Sequence, residues 1–289
     1  MMKYVNLIFD TIFSKYSRGK FEKFILILAA MGFITHLMLI FLNSNGYIQL
    51  DIGGNLLKNP ISALYTPFSF ILVYEAFLLI YYLPSSFTVS VVKGYEIISL
   101  VLIRKIFKDV PLVDLSQDFF ANPYNVQFIY DITGFVLVFF LIYLFKTTAG
   151  RPKKPKIDKK LEKFISQKKA ISILLVPVLL ALASYSFYNW IGSLFIDSSN
   201  DIDVNFLFFV DFFTILILVD VLLLLISFRY TERYSQLIRN TGFIISTIML
   251  RLSFTATGLA SVSFLVLGIL FGVVILAIFK KMEKVNYLG

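Results

Sequence analysis

Three side chains in this sequence could move protons if a fold brought them together: His36, Glu75 and Glu96. Each stands inside a long apolar segment, where an ionisable group is costly and is therefore a functional candidate; imidazole also changes charge near neutral pH. A mid-membrane cluster of such groups is the chemistry of a proton relay or a cation path. His36 is the single histidine and cysteine is absent, which removes disulfides, thiolate metal sites and most acid–base constellations. No cofactor or metal is expected. The structural alternative is that His36 bonds a neighbouring carbonyl and that Glu96 pairs with Lys93, one helical turn away.

A second set of ionisable residues has the spacing of charge pairs. The octets "IISLVLIR" (97–104) and "IISTIMLR" (244–251) each end in an arginine, Arg104 and Arg251. Each octet follows a segment with one internal acid, Glu75 in "FSFILVYEAFLLIYYL" and Asp220 in "FTILILVDVLLLLISF", and a base precedes it, Lys93 and Arg239. Asp131 and Asp211 are further acids in apolar surroundings.

The elements that must hold these groups follow from composition. Of 289 residues 58% are hydrophobic and only 16% charged, and mean hydropathy is +0.82. Soluble domains run nearer half apolar and a quarter charged, so an integral membrane protein is expected. Eight runs have the length of ~20 apolar residues that an α-helix needs to cross a bilayer: 24–44, 65–84, 88–108, 125–146, 170–196, 204–228, 237–255 and 259–280. They are continuously apolar rather than alternating, which selects helices over a β-barrel.

Basic residues fall on alternate connections. Lys3, Lys15, Arg18, Lys20, Lys23, ten more within 146–169, then Arg229, Arg233, Arg239, Lys280, Lys281 and Lys284 share one side if eight helices cross. The positive-inside rule then puts both termini in the cytoplasm. The net charge of +9 is accounted for by these loops, which attract anionic lipids; nucleic-acid binding would need a basic domain, and none is present. The expected partners are the bilayer, anionic lipids at the basic loops, and a second copy of the chain or another membrane protein.

Residues 1–20 lack a signal-peptide cleavage site and place Val5, Ile8, Phe9, Ile12, Phe13 and Tyr16 at helical spacing, as an amphipathic interfacial helix would. Residues 148–169, "GRPKKPKIDKKLEKFISQKK" at their centre, read as a basic linker. It separates two units, 21–147 and 170–289. Both show acid, base, octet and a closing Gly-to-Lys helix ("GFVLVFFLIYLFK", "GILFGVVILAIFK") in the same order, which suggests a tandem duplication. The fold class expected is an all-α membrane protein of eight transmembrane helices in two parallel four-helix repeats, with an interfacial helix before them.

The stretch "YEAFLLIYYLPSSFTVSVVKGYEIISLVLIRKIFKDVPLVDL" (74–115) resembles the central part of the bacterial phosphate-starvation-inducible protein E family. The shared pattern is an acid in helix two (Glu75), a short turn, a base opening helix three (Lys93), and an arginine followed by an aspartate at its end (Arg104, Asp109). The second unit is similar more loosely and has "FTATGLAS" in place of the aspartate loop. The resemblance implies a multi-pass protein of the cytoplasmic (inner) membrane of a prokaryote; it assigns no activity and no phosphate site.

Depth gives expected partners. At ~1.5 Å per residue, Arg104 lies about 24 Å from the cytoplasmic end of its helix and Asp131 about 8 Å inside the outer end of the next, which coincide in a ~30 Å core. Arg251, about 21 Å up, and Asp211, about 10 Å down, coincide as well. Asp220 lies near the level of Arg239, and Lys93 can reach toward Glu75. No nucleotide loop, zinc signature or nucleophile elbow occurs, so an enzyme is not expected. Two functions follow: permeation of an ion or small solute past Glu75, Glu96 and His36, or a scaffold whose charge pairs fix helix register.

Overall fold

The computed structural model describes residues 2–47, 60–113, 119–150, 159–195, 204–230, 233–256 and 258–286. Within them the chain forms α1 (Met2–Ile12), α2 (Lys15–Ser44), α3 (Tyr65–Tyr82), α4 (Phe87–Asp109), α5 (Pro123–Ala149), α6 (Lys159–Phe195), α7 (Val204–Phe228), α8 (Tyr234–Leu252) and α9 (Gly258–Asn286), with short 3-10 turns at Pro60–Leu64 and Val110–Leu112. No strand occurs among the described residues.

Polar side chains start several of these helices. The Ser14 hydroxyl accepts from the Ser17 amide at 3.0 Å, Ser86 accepts from Val89 at 3.4 Å, and Asn122 accepts from Tyr124 at 2.9 Å just ahead of Pro123. Each satisfies an amide that the first helical turn leaves without an internal partner. The Ser14 cap also divides the amphipathic segment expected at 1–20. Its first part is α1, whereas residues from Lys15 onward belong to the long α2.

Each apolar run of the sequence falls in a helix, and among the described residues six segments are both long and apolar enough to cross a membrane: Lys3–Ser44, Pro60–Tyr82, Pro123–Ala149, Lys159–Ser186, Val210–Phe228 and Gly258–Val285. The other two of the eight expected helices, α4 and α8, fall outside this set because of their composition. α4 carries Lys93, Glu96, Arg104 and Lys105, and α8 carries Arg239, Asn240, Thr247 and Arg251. These two helices are enclosed by the others. α4 packs on α3, α5 and α8, and α8 packs on α7, α9 and α4. Of the α8 polar residues, Asn240, Ser246, Thr247 and Arg251 are buried.

Consecutive helices pack on one another along α2–α3–α4–α5 and again along α6–α7–α8–α9, and α4–α8, α5–α9 and α3–α6 contacts join the two series. One core lies among α4, α5, α8 and α9, around Tyr95, Leu102, Phe145, Phe243 and Ile269. A second lies among α3, α6 and α7, around Leu72, Ile80, Leu179, Phe212 and Leu216, and Phe13 at the end of α1 plugs into it. Phe254 packs against both. The outer faces are apolar too: Phe139, Phe140 and Tyr143 on α5 and Leu218 and Leu225 on α7 are exposed. A large exposed apolar surface of this kind suits lipid rather than water. The result is an all-α chain of multi-pass membrane character.

Helix approach is tightest at two glycines. A Cβ on Gly134 of α5 would stand 2.4 Å from Val262 Cγ1 of α9, and one on Gly272 of α9 would stand 2.0 Å from the Tyr95 hydroxyl of α4. Small residues at such crossings let helix backbones approach closely.

Candidate functional site in the seam between the helix series

α6 brings Lys168 into the protein interior. Phe164, Ser172, Leu175 and Leu179 are buried on the same helix at helical spacing, and Lys168 falls on their stripe. Its exposure is 3%. The ammonium donates to the Ser85 carbonyl at 2.7 Å and lies over the Phe87 and Phe164 rings at 4.7 and 5.5 Å from their centroids. A buried lysine needs such partners, because removing an ammonium from water is expensive.

Facing it from the neighbouring helices is a buried pair. Arg251 Nη1 of α8 stands 2.6 Å from Asp220 Oδ2 of α7, and the same oxygen accepts from the Thr247 hydroxyl at 3.1 Å. Asp220 and Arg251 are each 7% exposed. Between Lys168 and this pair is a cavity of about 40 Å³, walled by α3 and α4 (Leu79, Ser90, Gly94) as well as by Lys168, Asp220 and Arg251. At roughly 10–15 Å³ per water, it has room for two or three. Two cations and one carboxylate surround it, so its field is net positive.

Of the residues singled out in the sequence, Asp220 and Arg251 line this cavity and the others lie elsewhere, several with partners other than those that depth alone suggested. Arg104 does not meet Asp131: its Nη1 is 3.6 Å from Glu75 Oε2 on α3 and donates to the Phe68 carbonyl at 3.3 Å. Asp131, fully buried on α5, instead takes Lys105 at 3.2 Å. Residues 104 and 105 are neighbours in sequence and point about 100° apart around the helix, one toward α3 and the other toward α5.

Arg251 meets Asp220 and not Asp211, which is exposed on α7. Those two aspartates are about half a turn out of phase, so equal depth did not mean a shared face. Arg239 correspondingly lacks the expected Asp220. It donates to the Asn240 side chain at 3.2 and 3.0 Å and covers the Phe279 ring at 4.5 Å.

Lys93 pairs with Glu96 at 2.7 Å rather than with Glu75, and Lys146 of α5 closes on the other Glu96 oxygen. His36 Nδ1 lies 2.6 Å from the Thr66 hydroxyl. His36, Glu75 and Glu96 thus have separate partners, Thr66, Arg104, and Lys93 with Lys146 respectively, and none of the three lines the seam cavity. Among the described residues no three histidine or acidic side chains converge as a metal site requires.

The serine of the first octet, Ser99, donates within its own helix to the Glu96 carbonyl at 2.7 Å, whereas that of the second, Ser246, reaches across the core. Ser246 donates to the Gly268 carbonyl at 2.6 Å and lies 2.5 Å from the Tyr95 hydroxyl, one bond of each kind across the core. No protein-family model, curated protein or solved structure matches this chain.

Proposed function

We propose that this protein passes a small anion along the seam between two related four-helix units, α2–α5 and α6–α9, in a cytoplasmic membrane. The observation that carries the reading is the cavity in that seam, where Lys168, Asp220 and Arg251 place charges in a largely apolar wall around space for a few waters. Fixed charges in a low-dielectric setting are strong, and two cations to one carboxylate favour an anion over a cation. With α4 and α8 crossing as well, eight helices span the bilayer and both termini share the basic, cytoplasmic face.

The unit arrangement is supported by the repeated couple of second-helix acid and third-helix arginine, Glu75 with Arg104 and Asp220 with Arg251. Like also packs on like, α4 on α8 and α5 on α9, as a twofold axis along the membrane normal would require. The α3–α6 contact has no comparable α7–α2 contact among the described residues, so the symmetry is imperfect. The same couple is the part of the phosphate-starvation-inducible protein E pattern that would unite the two units as a duplication.

A scaffold or accessory subunit is the second reading, favoured by the closed pairing of Glu75, Glu96 and Asp131 with cations. Proteoliposomes separate the two. Permeation predicts chloride or nitrate flux above that of empty vesicles, lost in Lys168→Met with the fold retained. Flux equal to that of empty vesicles for anions and cations alike, together with a co-purifying membrane protein, would give the second reading the field.

A further inference from the structure

Where α6 begins and α7 ends, a second and quite different concavity opens at the surface. Its volume is about 350 Å³, and its walls are Lys159, Lys160, Lys163, Arg229 and Tyr230. Four of these five side chains are cations. Ring contacts hold its two sides together: Phe164 of α6 lies 5.4 Å from Tyr230, and Phe87 of α4 backs Phe164 at 6.2 Å.

We infer that this cleft binds the phosphate headgroup of an anionic phospholipid. Arginine and lysine around one concavity match a phosphodiester, the arginine through its planar donor pair and the lysines as point charges. Lys159 and Lys160 also belong to the first turn of α6, whose amide groups and dipole favour an anion.

Height selects a lipid over a free anion. Arg229 immediately follows the apolar segment Val210–Phe228, and the three lysines open the segment Lys159–Ser186, so the cleft lies where two apolar helices reach the headgroup layer. Tyr230 has the amphipathic ring common at that level. Below the cleft, exposed Leu174 on α6 and exposed Leu225 and Phe228 on α7 offer apolar surface to acyl chains. This site is separate from the seam cavity and does not depend on permeation.

The test is native mass spectrometry of the full chain in dodecyl maltoside, titrated with dioleoyl phosphatidylglycerol or dioleoyl phosphatidylcholine. Phosphatidylglycerol should be retained preferentially, and Lys163→Ala with Arg229→Ala should weaken that retention about tenfold or more, the loss of two charge-assisted contacts. The control Lys281→Ala with Lys284→Ala removes equal charge from exposed positions on α9 and should leave it unchanged. If the alanine pair fails to fold, Lys163→Gln alone gives the same comparison. Equal retention of the two lipids, equal loss in the α9 control, or full displacement by inorganic phosphate would each overturn the proposal, the last by showing a free-anion site.

Discussion

Arg251 and Asp220, 2.6 Å apart and both buried, stand in the same topological relation as Arg104 and Glu75, 3.6 Å apart on α4 and α3. In each case an acid in the middle of one helix holds the arginine near the end of the next. The closer pair borders the seam cavity and the looser one does not. Position along the chain is equivalent, but surroundings differ, and the surroundings decide which pair can meet a solute.

Breaking the seam pair should cost more than replacing it. A buried charge left without its partner destabilises by about 3–5 kcal/mol, whereas exchange of both partners for apolar residues of similar volume is often neutral. Asp220→Ala should therefore lower the thermal midpoint in detergent strongly, and Asp220→Leu with Arg251→Met should recover most of the loss. A double variant less stable than either single one would show that the pair does not act as a unit.

The partner of Arg104 can be read by double-mutant cycles. Arg104→Met and Glu75→Gln should couple within the range of about 0.5–3 kcal/mol found for contacting residues. Arg104→Met and Asp131→Asn should be additive, and Asp131→Asn should couple to Lys105→Met instead. Strong coupling of Arg104 to Asp131 would restore the depth-based assignment.

These pairings show where the sequence is informative and where it is silent. Helix existence was legible because each apolar run is long; the run at 204–228 coincides with α7. Depth was legible too, since rise per residue is fixed. Azimuth was not used, and it separates Asp211 from Asp220 and Arg104 from Lys105. Lys168 was hidden for another reason. It stands among ten basic residues in 146–169 and reads as linker until α6 is extended back to Lys159, when its place on the Phe164–Ser172–Leu175 stripe becomes visible. The partner of His36 was not legible, because Thr66 lies on another helix and no spacing rule links them.

Tyr95 and Ser246 should respond unequally to loss of a hydroxyl. Ser246 gives its proton to the Gly268 carbonyl, so the Tyr95 hydroxyl is the donor in the contact between them. Tyr95→Phe leaves the serine bond in place and should cost about 1 kcal/mol. Ser246→Ala leaves a fully buried phenol without an acceptor and should cost about 1–3 kcal/mol. Adding Tyr95→Phe to Ser246→Ala should then restore stability. Chemical unfolding of the four proteins in mixed micelles measures this, and additive losses would refute the assigned proton direction.

The α5–α9 contact permits a steric exchange. A methyl group on Gly134 would meet Val262 Cγ1 at 2.4 Å and Cγ2 at 3.4 Å, with the valine Cβ at an ordinary 3.5 Å. Both helices are packed along their length, so neither can move away without disturbing the core around Val138 and Leu265. Gly134→Ala alone should destabilise by about 1–3 kcal/mol, as overpacking does. Val262→Ala alone should cost less than a large core truncation, because it removes only two methyl groups. Combined, the two substitutions move a methyl from α9 to α5 and remove the 2.4 Å conflict, so the double variant should be more stable than Gly134→Ala. Thermal midpoints in one detergent decide the matter, and a double variant at or below the Gly134→Ala midpoint would mean that α5 and α9 do not meet at this register.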